Sequence, residues 1–130
     1  MKLLLRAAPL LAAALLAACD AGEPAKPLPG DLTVSLATPN TDAAMVIAIT
    51  GPGAVGAVQP ASPGIGVRAH MTGATTTVAA FGTLDAGPLL RISVPDVRQA
   101  QQYAAVVREA ADGQNALRAS LAGYALSVGR

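Results

Sequence analysis

A lone cysteine is the residue in this sequence whose chemistry can be anticipated most directly. Cys19 is the only cysteine among the 130 residues, and it follows Leu16, Ala17 and Ala18. Two small residues beside a thiol leave room for a peptidase to cut and for the sulfur to be modified. A chain with one cysteine cannot form an intramolecular disulfide, so an exported chain of this kind must use the thiol in another way.

The residues before Cys19 have the layout of a secretory signal peptide. Lys2 and Arg6 give a positive start, and residues 7–16 form an apolar core of about ten residues, within the length range of such cores. A helix that spans a hydrocarbon layer about 30 Å thick requires roughly 20 apolar residues. We therefore expect residues 1–18 to be a signal helix that directs export and is then removed.

The segment Leu16-Ala17-Ala18-Cys19 resembles a lipobox, the processing signal of bacterial lipoproteins. The resemblance implies that a diacylglyceryl group is added to the Cys19 sulfur and that cleavage follows Ala18. Acyl chains such as palmitate then anchor the new N-terminus in membrane lipid, at about 0.8 kcal/mol per buried methylene. An ordinary secretory leader and an uncleaved anchor are the alternatives to this interpretation.

The chain after the predicted cleavage site divides into a linker and one domain. Residues 20–30 read DAGEPAKPLPG, and prolines make such a segment semi-extended. The remaining 31–130 is enough chain for one domain with a modest core. We expect a signal peptide at 1–18, a lipid-anchored linker at 19–30 and a domain at 31–130. This domain is expected in the cell envelope, on either the inner or the outer membrane.

Charge and aromatic content argue against several classes of partner. After residue 18 the sequence has one lysine and six arginines against eight acidic residues, so it offers no basic field for nucleic acid. Its aromatic residues are Phe81, Tyr103 and Tyr124, with no tryptophan, which disfavours stacking platforms for bases or sugars. We expect these three rings to be the largest side chains of an aliphatic core.

Short apolar or alternating runs, separated by Gly, Pro, Asn and Thr, predict a fold made of strands. Residues 65–71 and 75–81 flank the turn Thr72-Gly73-Ala74 and predict a hairpin. Seven to eight strands at this spacing are typical of a small antiparallel β-sandwich, so the expected fold class is all-β. A parallel sheet would need crossover helices, for which the sequence has no room before residue 95. The strands predicted in this part are 32–37, 44–50, 54–58, 65–71, 75–81 and 89–94.

Residues 96–112 are open to two interpretations. Apolar residues at helical spacing, together with alanine and glutamine, are compatible with a helix. Alternatively, residues 103–107 form a strand and residues 96–102 form a short connection to it. We favour the strand, because a closing strand at 124–128 needs a partner in a sandwich.

The order of these segments resembles small bacterial lipoproteins with a cohesin-like or immunoglobulin-like β-sandwich. The segments that carry the resemblance are AMVIAITGPG at 44–53 and AAFGTLDAGPLLRISV at 79–94. Cohesins bind dockerin modules, but no dockerin-like calcium loop accompanies these segments, so that partner is not carried over. Tyr103 is similar to a tyrosine that opens a late strand in immunoglobulin-like folds, and we expect it in the core.

Two features suggest catalytic or cofactor chemistry and are explained more simply. Residues 51–56 match G-x-G-x-x-G after a strand, but a dinucleotide site requires a helix there, and Pro60 and Pro63 leave no length for one. A tight turn is the expected structure. His70 is the only histidine, and a metal site needs several converging ligands. We expect His70 to be solvated on the same side as Arg68, and no catalytic residue, cofactor or metal.

The acidic residues of the predicted domain lie mostly at turns and strand ends. Aspartate accepts hydrogen bonds from nearby backbone amides at such places, while a calcium site formed by two loops is the alternative. These residues are Asp31, Asp42, Asp85, Asp96 and Asp112. Four arginines form either a solvated face or a patch for a partner or for anionic lipid, and we favour the solvated face. They are Arg91, Arg98, Arg108 and Arg118.

The sequence therefore predicts a membrane-anchored lipoprotein of the cell envelope whose β-sandwich is a non-enzymatic binding or structural module. Its partners are membrane lipid, through acylated Cys19, and an envelope protein or glycan that the sequence does not name. One alternative is a self-associating adhesion or scaffold domain that pairs through an exposed edge strand. A second is an envelope hydrolase, which requires a cluster of convergent Asp, His and Arg side chains.

Overall fold

The computed structural model describes residues 25–130. The predicted signal peptide, the cleavage motif Leu16-Ala17-Ala18 and the predicted lipidation site Cys19 lie outside the described residues. Within residues 25–130, no helix is long and apolar enough to cross a membrane.

Within residues 25–130, eight strands and one short 3-10 helix make up the regular structure. The helix is Val97–Gln102. The strands are β1 (Gly30–Ala37), β2 (Asp42–Thr50), β3 (Val58–Pro60), β4 (Ile65–Thr72), β5 (Thr75–Leu84), β6 (Gly87–Val94), β7 (Ala104–Ala111) and β8 (Ala125–Gly129).

The strands form two antiparallel sheets of four strands each. Sheet 1 has the order β3-β6-β1-β8, and sheet 2 has the order β4-β5-β2-β7. Two such sheets that share one core are a β-sandwich. The predicted all-β class and the antiparallel sandwich of seven to eight strands are confirmed.

The core lies between the sheets and is built by alternation along the strands. In β1 the inward side chains are Leu32, Val34 and Leu36, each at most 4% exposed. Ile47 and Ile49 of β2 face them from sheet 2 and are equally buried. Because each fully buried aliphatic side chain stabilises the fold by about 2 kcal/mol, these strands hold the sandwich together.

The hairpin of β4 and β5 is closed by a two-residue turn. Thr72 pairs with Thr75, and Gly73 between them has a φ of +63°. A positive φ at the first central residue is the geometry of a type II′ turn, which glycine adopts at little steric cost. The hairpin predicted around Thr72-Gly73-Ala74 is confirmed.

The region with two interpretations contains a short 3-10 helix followed by a strand. Strand β7 pairs with β2, so that Val107 lies opposite Ile47 and Ala105 opposite Ile49. Tyr103 is 5% exposed, as predicted for a core residue, and its hydroxyl donates to the Gly53 carbonyl at 3.3 Å. The strand interpretation is confirmed, and the single long helix is wrong, because pairing with β2 buries the alternate residues of β7.

Several strand boundaries and one ring differ from the sequence prediction. Strands β5 and β7, for example, extend to Leu84 and Ala111. The third strand begins at Val58 instead of residue 54, since residues 56 and 57 bond irregularly with Ser93 of β6. The last strand is Ala125–Gly129, one residue later than predicted. Phe81 is 44% exposed, so the prediction that it belongs to the core is wrong.

Candidate binding surface

The outer face of sheet 1 is polar. Its strands mostly alternate, so that Thr33 lies opposite Arg91 and Asp31 opposite Ser93. A bulge between Val34 and Ser35 interrupts this alternation, and Leu89 and Leu90 of β6 are both buried. The Ser93 hydroxyl donates to the Asp31 carboxylate at 3.0 Å. This pattern is typical of a sheet with one face on the core and the other in water. The polar outward residues of sheet 1 are Asp31, Thr33, Ser35, Gln59, Arg91, Ser93 and Ser127, and Ala37, Pro88 and Ala125 also face outward.

On the outer face of sheet 2, Thr50, Thr72, Thr75, Thr77 and His70 lie toward one end, and small and apolar side chains make up much of the rest. Two of the larger apolar ones, Phe81 and Val106, are 44% and 48% exposed. Strand β2 carries apolar residues on both sides, a composition that is typical of strands covered on both faces. We call this surface the apolar face and define it by Ala44, Val46, Ala48, Ala79, Phe81 and Val106.

The register of sheet 2 sets large side chains beside small ones. Across β2 and β5, Phe81 lies opposite Ala44, and Val46 lies opposite Ala79. The Phe81 ring also extends over Gly66 of β4, where a Cβ atom would be 2.2 Å from the ring edge. The missing side chain at Gly66 therefore leaves room for this ring to lie flat on the sheet.

Charged residues border the apolar face on its two edge strands. Arg68 of β4 lies opposite Ala79, and Glu109 of β7 lies opposite Val46. One row across the sheet therefore reads Arg68, Ala79, Val46, Glu109. A bulge in β7 leaves Arg108 without an opposing residue. His70 is exposed on the same side as Arg68, as predicted.

Sequence reasoning missed a buried polar cluster at the opposite end of β2 from the Gly51–Gly53 loop. The Asp42 side chain is fully buried and pairs with Arg118 at 2.8 Å. Tyr124 donates its hydroxyl proton to the same carboxylate, and the Asn40 amide donates to the Tyr124 hydroxyl at 3.1 Å. The hydrogen bond that Arg118 donates to the Asp42 carboxylate raises the pKa of Arg118. The cluster ties residues 112–124 to the turn between β1 and β2, so the interpretation of Arg118 as part of a solvated face is wrong.

The other predicted acidic residues are occupied by hydrogen bonds. Asp112 accepts from the amides of Gln114 and Ala116 at 2.9 and 3.0 Å, and these bonds lower its pKa. Asp85 accepts from the Thr41 hydroxyl. Among residues 25–130, no group of three or more His, Cys, Asp or Glu side chains is placed to hold a metal ion.

An exposed ion pair holds the end of the predicted linker against the domain. Asp96 begins the 3-10 helix, accepts from the Arg98 amide and pairs with the Arg98 guanidinium at 3.0 Å. That guanidinium also donates to the Lys26 carbonyl, and the Val97 amide donates to the Leu28 carbonyl at 2.9 Å. The Arg98 side chain holds the pKa of Asp96 at about 2, below its ordinary range.

The glycine-rich segment after β2 is a turn, as predicted, and no helix begins there. Its backbone packs on Tyr103, since a Cβ atom at Gly51 would lie 2.2 Å from the tyrosine ring. A cleft of about 160 Å³ lies beside the turn, lined by residues such as Pro52, Met71 and Thr76. None of the residues that line this cleft is titratable.

No protein-family model, curated protein or solved structure shows a significant similarity to this chain. The cohesin-like part of the resemblance therefore stays a prediction.

Proposed function

We propose that this chain is a lipid-anchored lipoprotein of the cell envelope, and that its β-sandwich is a non-enzymatic binding or structural module. The observation that carries the proposal is the contrast between the two outer faces. Sheet 1 presents polar residues to water, whereas sheet 2 presents the apolar face. We propose that the apolar face is the binding surface of the module.

The fold itself does not require an apolar outer face. Core formation needs only the inward residues of each sheet, as the polar outer side of sheet 1 illustrates. Contiguous apolar surface on a small domain marks a site of association. A flat face of small aliphatic side chains with one phenylalanine suits another protein surface better than a sugar, which favours an envelope protein over a glycan.

The proposed lipid anchor rests on Cys19 and on the length of chain between it and the domain. Arg98 bonds to the Lys26 carbonyl, and Lys26 is seven positions after Cys19. Seven extended residues reach at most about 25 Å. An acylated Cys19 would therefore keep the sandwich close to the membrane, where its partners would be other components of the envelope.

Lipid attachment is tested in cells that produce the full-length chain and are fed an alkyne-tagged fatty acid. We expect the label on the wild type and on Asp20→Ala, which keeps the thiol, and no label on Cys19→Ala. We also expect the wild type in the membrane fraction. Unlabelled wild-type protein, or equal labelling of Cys19→Ala, would contradict the anchor.

Binding through the apolar face is tested by cross-linking the anchored protein to its neighbours in intact cells. Val46→Lys places a charge in the middle of the apolar face, and Ser35→Lys places one on the outer face of sheet 1. We expect the first variant to lose the neighbours of the wild type and the second to keep them. Identical neighbours for both variants would overturn this use of the face.

A further inference from the structure

We propose that the partner on the apolar face is a second copy of this chain, packed face to face about a twofold axis. The axis runs parallel to the strands, midway between β5 and β2. This inference rests on the proposed function, since it names the occupant of the same surface. Three features of sheet 2 support it, namely the sizes of the side chains, the placement of charge and the form of the edge strands.

The side-chain sizes complement one another under this symmetry. Such an axis sets β5 of one copy over β2 of the other. Each residue then faces, in the partner copy, the residue that it opposes within its own sheet. Phe81 then meets the partner copy's small Ala44, and Val46 meets the partner copy's small Ala79. Packing large against small is how facing layers interdigitate without voids.

The charges complement one another under the same symmetry. The axis also sets β4 over the partner copy's β7, which places Arg68 over Glu109 twice in each dimer. Within one copy, these two residues are three strand spacings apart, about 14 Å, and no ion pair joins them among the described residues. Arg108, the residue at the bulge, places a positive charge on the same edge strand as Glu109. The proposed ion pair with the partner copy's Arg68 therefore requires that Glu109, and not Arg108, is in register with Val46.

The row Arg68, Ala79, Val46, Glu109 lies in the middle of the apolar face. Sheets that pack face to face keep their mean strand directions within about 30° of each other. Because each sheet is twisted, opposing residues are aligned best near the centre of the contact. The two charged pairs therefore lie where opposing residues of the two copies are best aligned. One pair lies at each end of the row, and the apolar contacts lie between them.

Edge pairing, the form of self-association suggested by the sequence, suits two of the four edge strands poorly. Strand β3 has three residues, and β7 carries the bulge at Arg108, a feature that disfavours pairing with another chain. Strand β4 is the regular edge of sheet 2, with eight residues. A dimer joined through β4 would leave Val46 and Glu109 outside the interface, which separates the two arrangements experimentally.

The test is a charge exchange in the full-length chain, extracted in mild detergent and followed by sedimentation velocity over a range of concentrations. We expect Arg68→Glu and Glu109→Arg each to raise the dimer dissociation constant about tenfold, because each turns two attractions into two repulsions. The double variant restores opposite charges and is expected to return within about twofold of the wild type. Arg91→Glu, on the outer face of sheet 1, is the matched control and should change nothing.

The outcomes separate this inference from the proposed function. Rescue by the double variant supports the twofold dimer, whether or not Cys19 carries lipid. A wild type that is monomeric at all concentrations overturns the dimer, and so does a dimer that survives in both single variants and in Val46→Lys. Should such a monomer still lose cross-linked neighbours in Val46→Lys, the apolar face binds a different protein and only the self-association is wrong.

Discussion

The two sheets contribute alike to the core and differ on the side that faces away from it. On β1 of sheet 1, buried Val34 is followed by polar Ser35, whereas on β2 of sheet 2, buried Ile47 is preceded by apolar Val46. Both strands are central in their sheets, so position alone does not explain the difference. Folding accounts for the inward residues of both sheets, and the apolar outward residues of β2 are the ones that the proposed contact would cover.

The largest expected difference in stability is between substitutions at Ile47 and Val46, two neighbours on β2 whose side chains point to opposite sides of the sheet. Ile47 is fully buried, and Ile47→Ala should lower the free energy of unfolding by about 3 kcal/mol through lost burial and a cavity. Val46→Ala should lower it by less than about 1 kcal/mol when the protein is dilute. Urea denaturation measures both. Equal losses would mean that the outer face of sheet 2 is already part of the monomer's core.

A slightly smaller loss of stability is expected when the buried polar cluster around Asp42 is broken. This cluster lies on neither outer face. Asp42→Ala leaves Tyr124 and the Arg118 side chain without their carboxylate, and we expect the free energy of unfolding to fall by about 2 kcal/mol. Urea denaturation measures this loss, and sedimentation of the folded variant should show unchanged association. Weakened association in the folded variant would show that the cluster, and not only the outer face, controls binding.

Lysine substitutions on the two outer faces test directly whether the two sheets differ in association. Val46→Lys should weaken association by more than about tenfold, because a buried ammonium without a partner is costly. Ser35→Lys, at an equally half-exposed position, should leave association unchanged. Both variants should keep the melting temperature of the wild-type monomer within a few degrees. A matching loss of association in Ser35→Lys would mean that the two faces do not differ in function.

The smallest expected effect concerns the contact between the domain and residues 26–28. The pKa of Asp96 is lowered to about 2 by Arg98, so the charged pair stabilises this contact above about pH 4. That stabilisation is lost as the pH falls through the pKa toward 2. The amide resonances of Leu28 and Arg98 should shift over this range, and Asp96→Asn should remove the shift. A transition near pH 4 in the wild type would contradict the lowered pKa.

The strands were predictable because their signals are local. Alternation identified β1 and β4, β-branched residues identified β5, and Thr72-Gly73-Ala74 identified the turn between β4 and β5. Strand β2, however, is an almost continuous apolar run, and such a run does not say which of its sides faces the core. The side on which Phe81 lies depends on the register with β2 and on the absence of a side chain at Gly66, which no single segment reveals.

The polar contacts were less predictable because their partners are distant in sequence. Asp42 and Arg118 are 76 residues apart, and nothing near either residue marks the other as its partner. The same holds for the contact of Arg98 with Lys26, 72 residues away. The row from Arg68 to Glu109 also depends on a bulge in β7, which shifts the register by one residue and which composition does not indicate.

The central claim, that the apolar face is covered in the cell, is tested most directly by thiol accessibility. Val46→Cys and Ser35→Cys are produced separately in the full-length chain, in which an acylated Cys19 does not react, and intact cells are treated with a membrane-permeant maleimide. The account predicts that position 46 reacts at least about tenfold more slowly than position 35, and that both react fully after denaturation. Equal rates at the two positions in intact cells would contradict it.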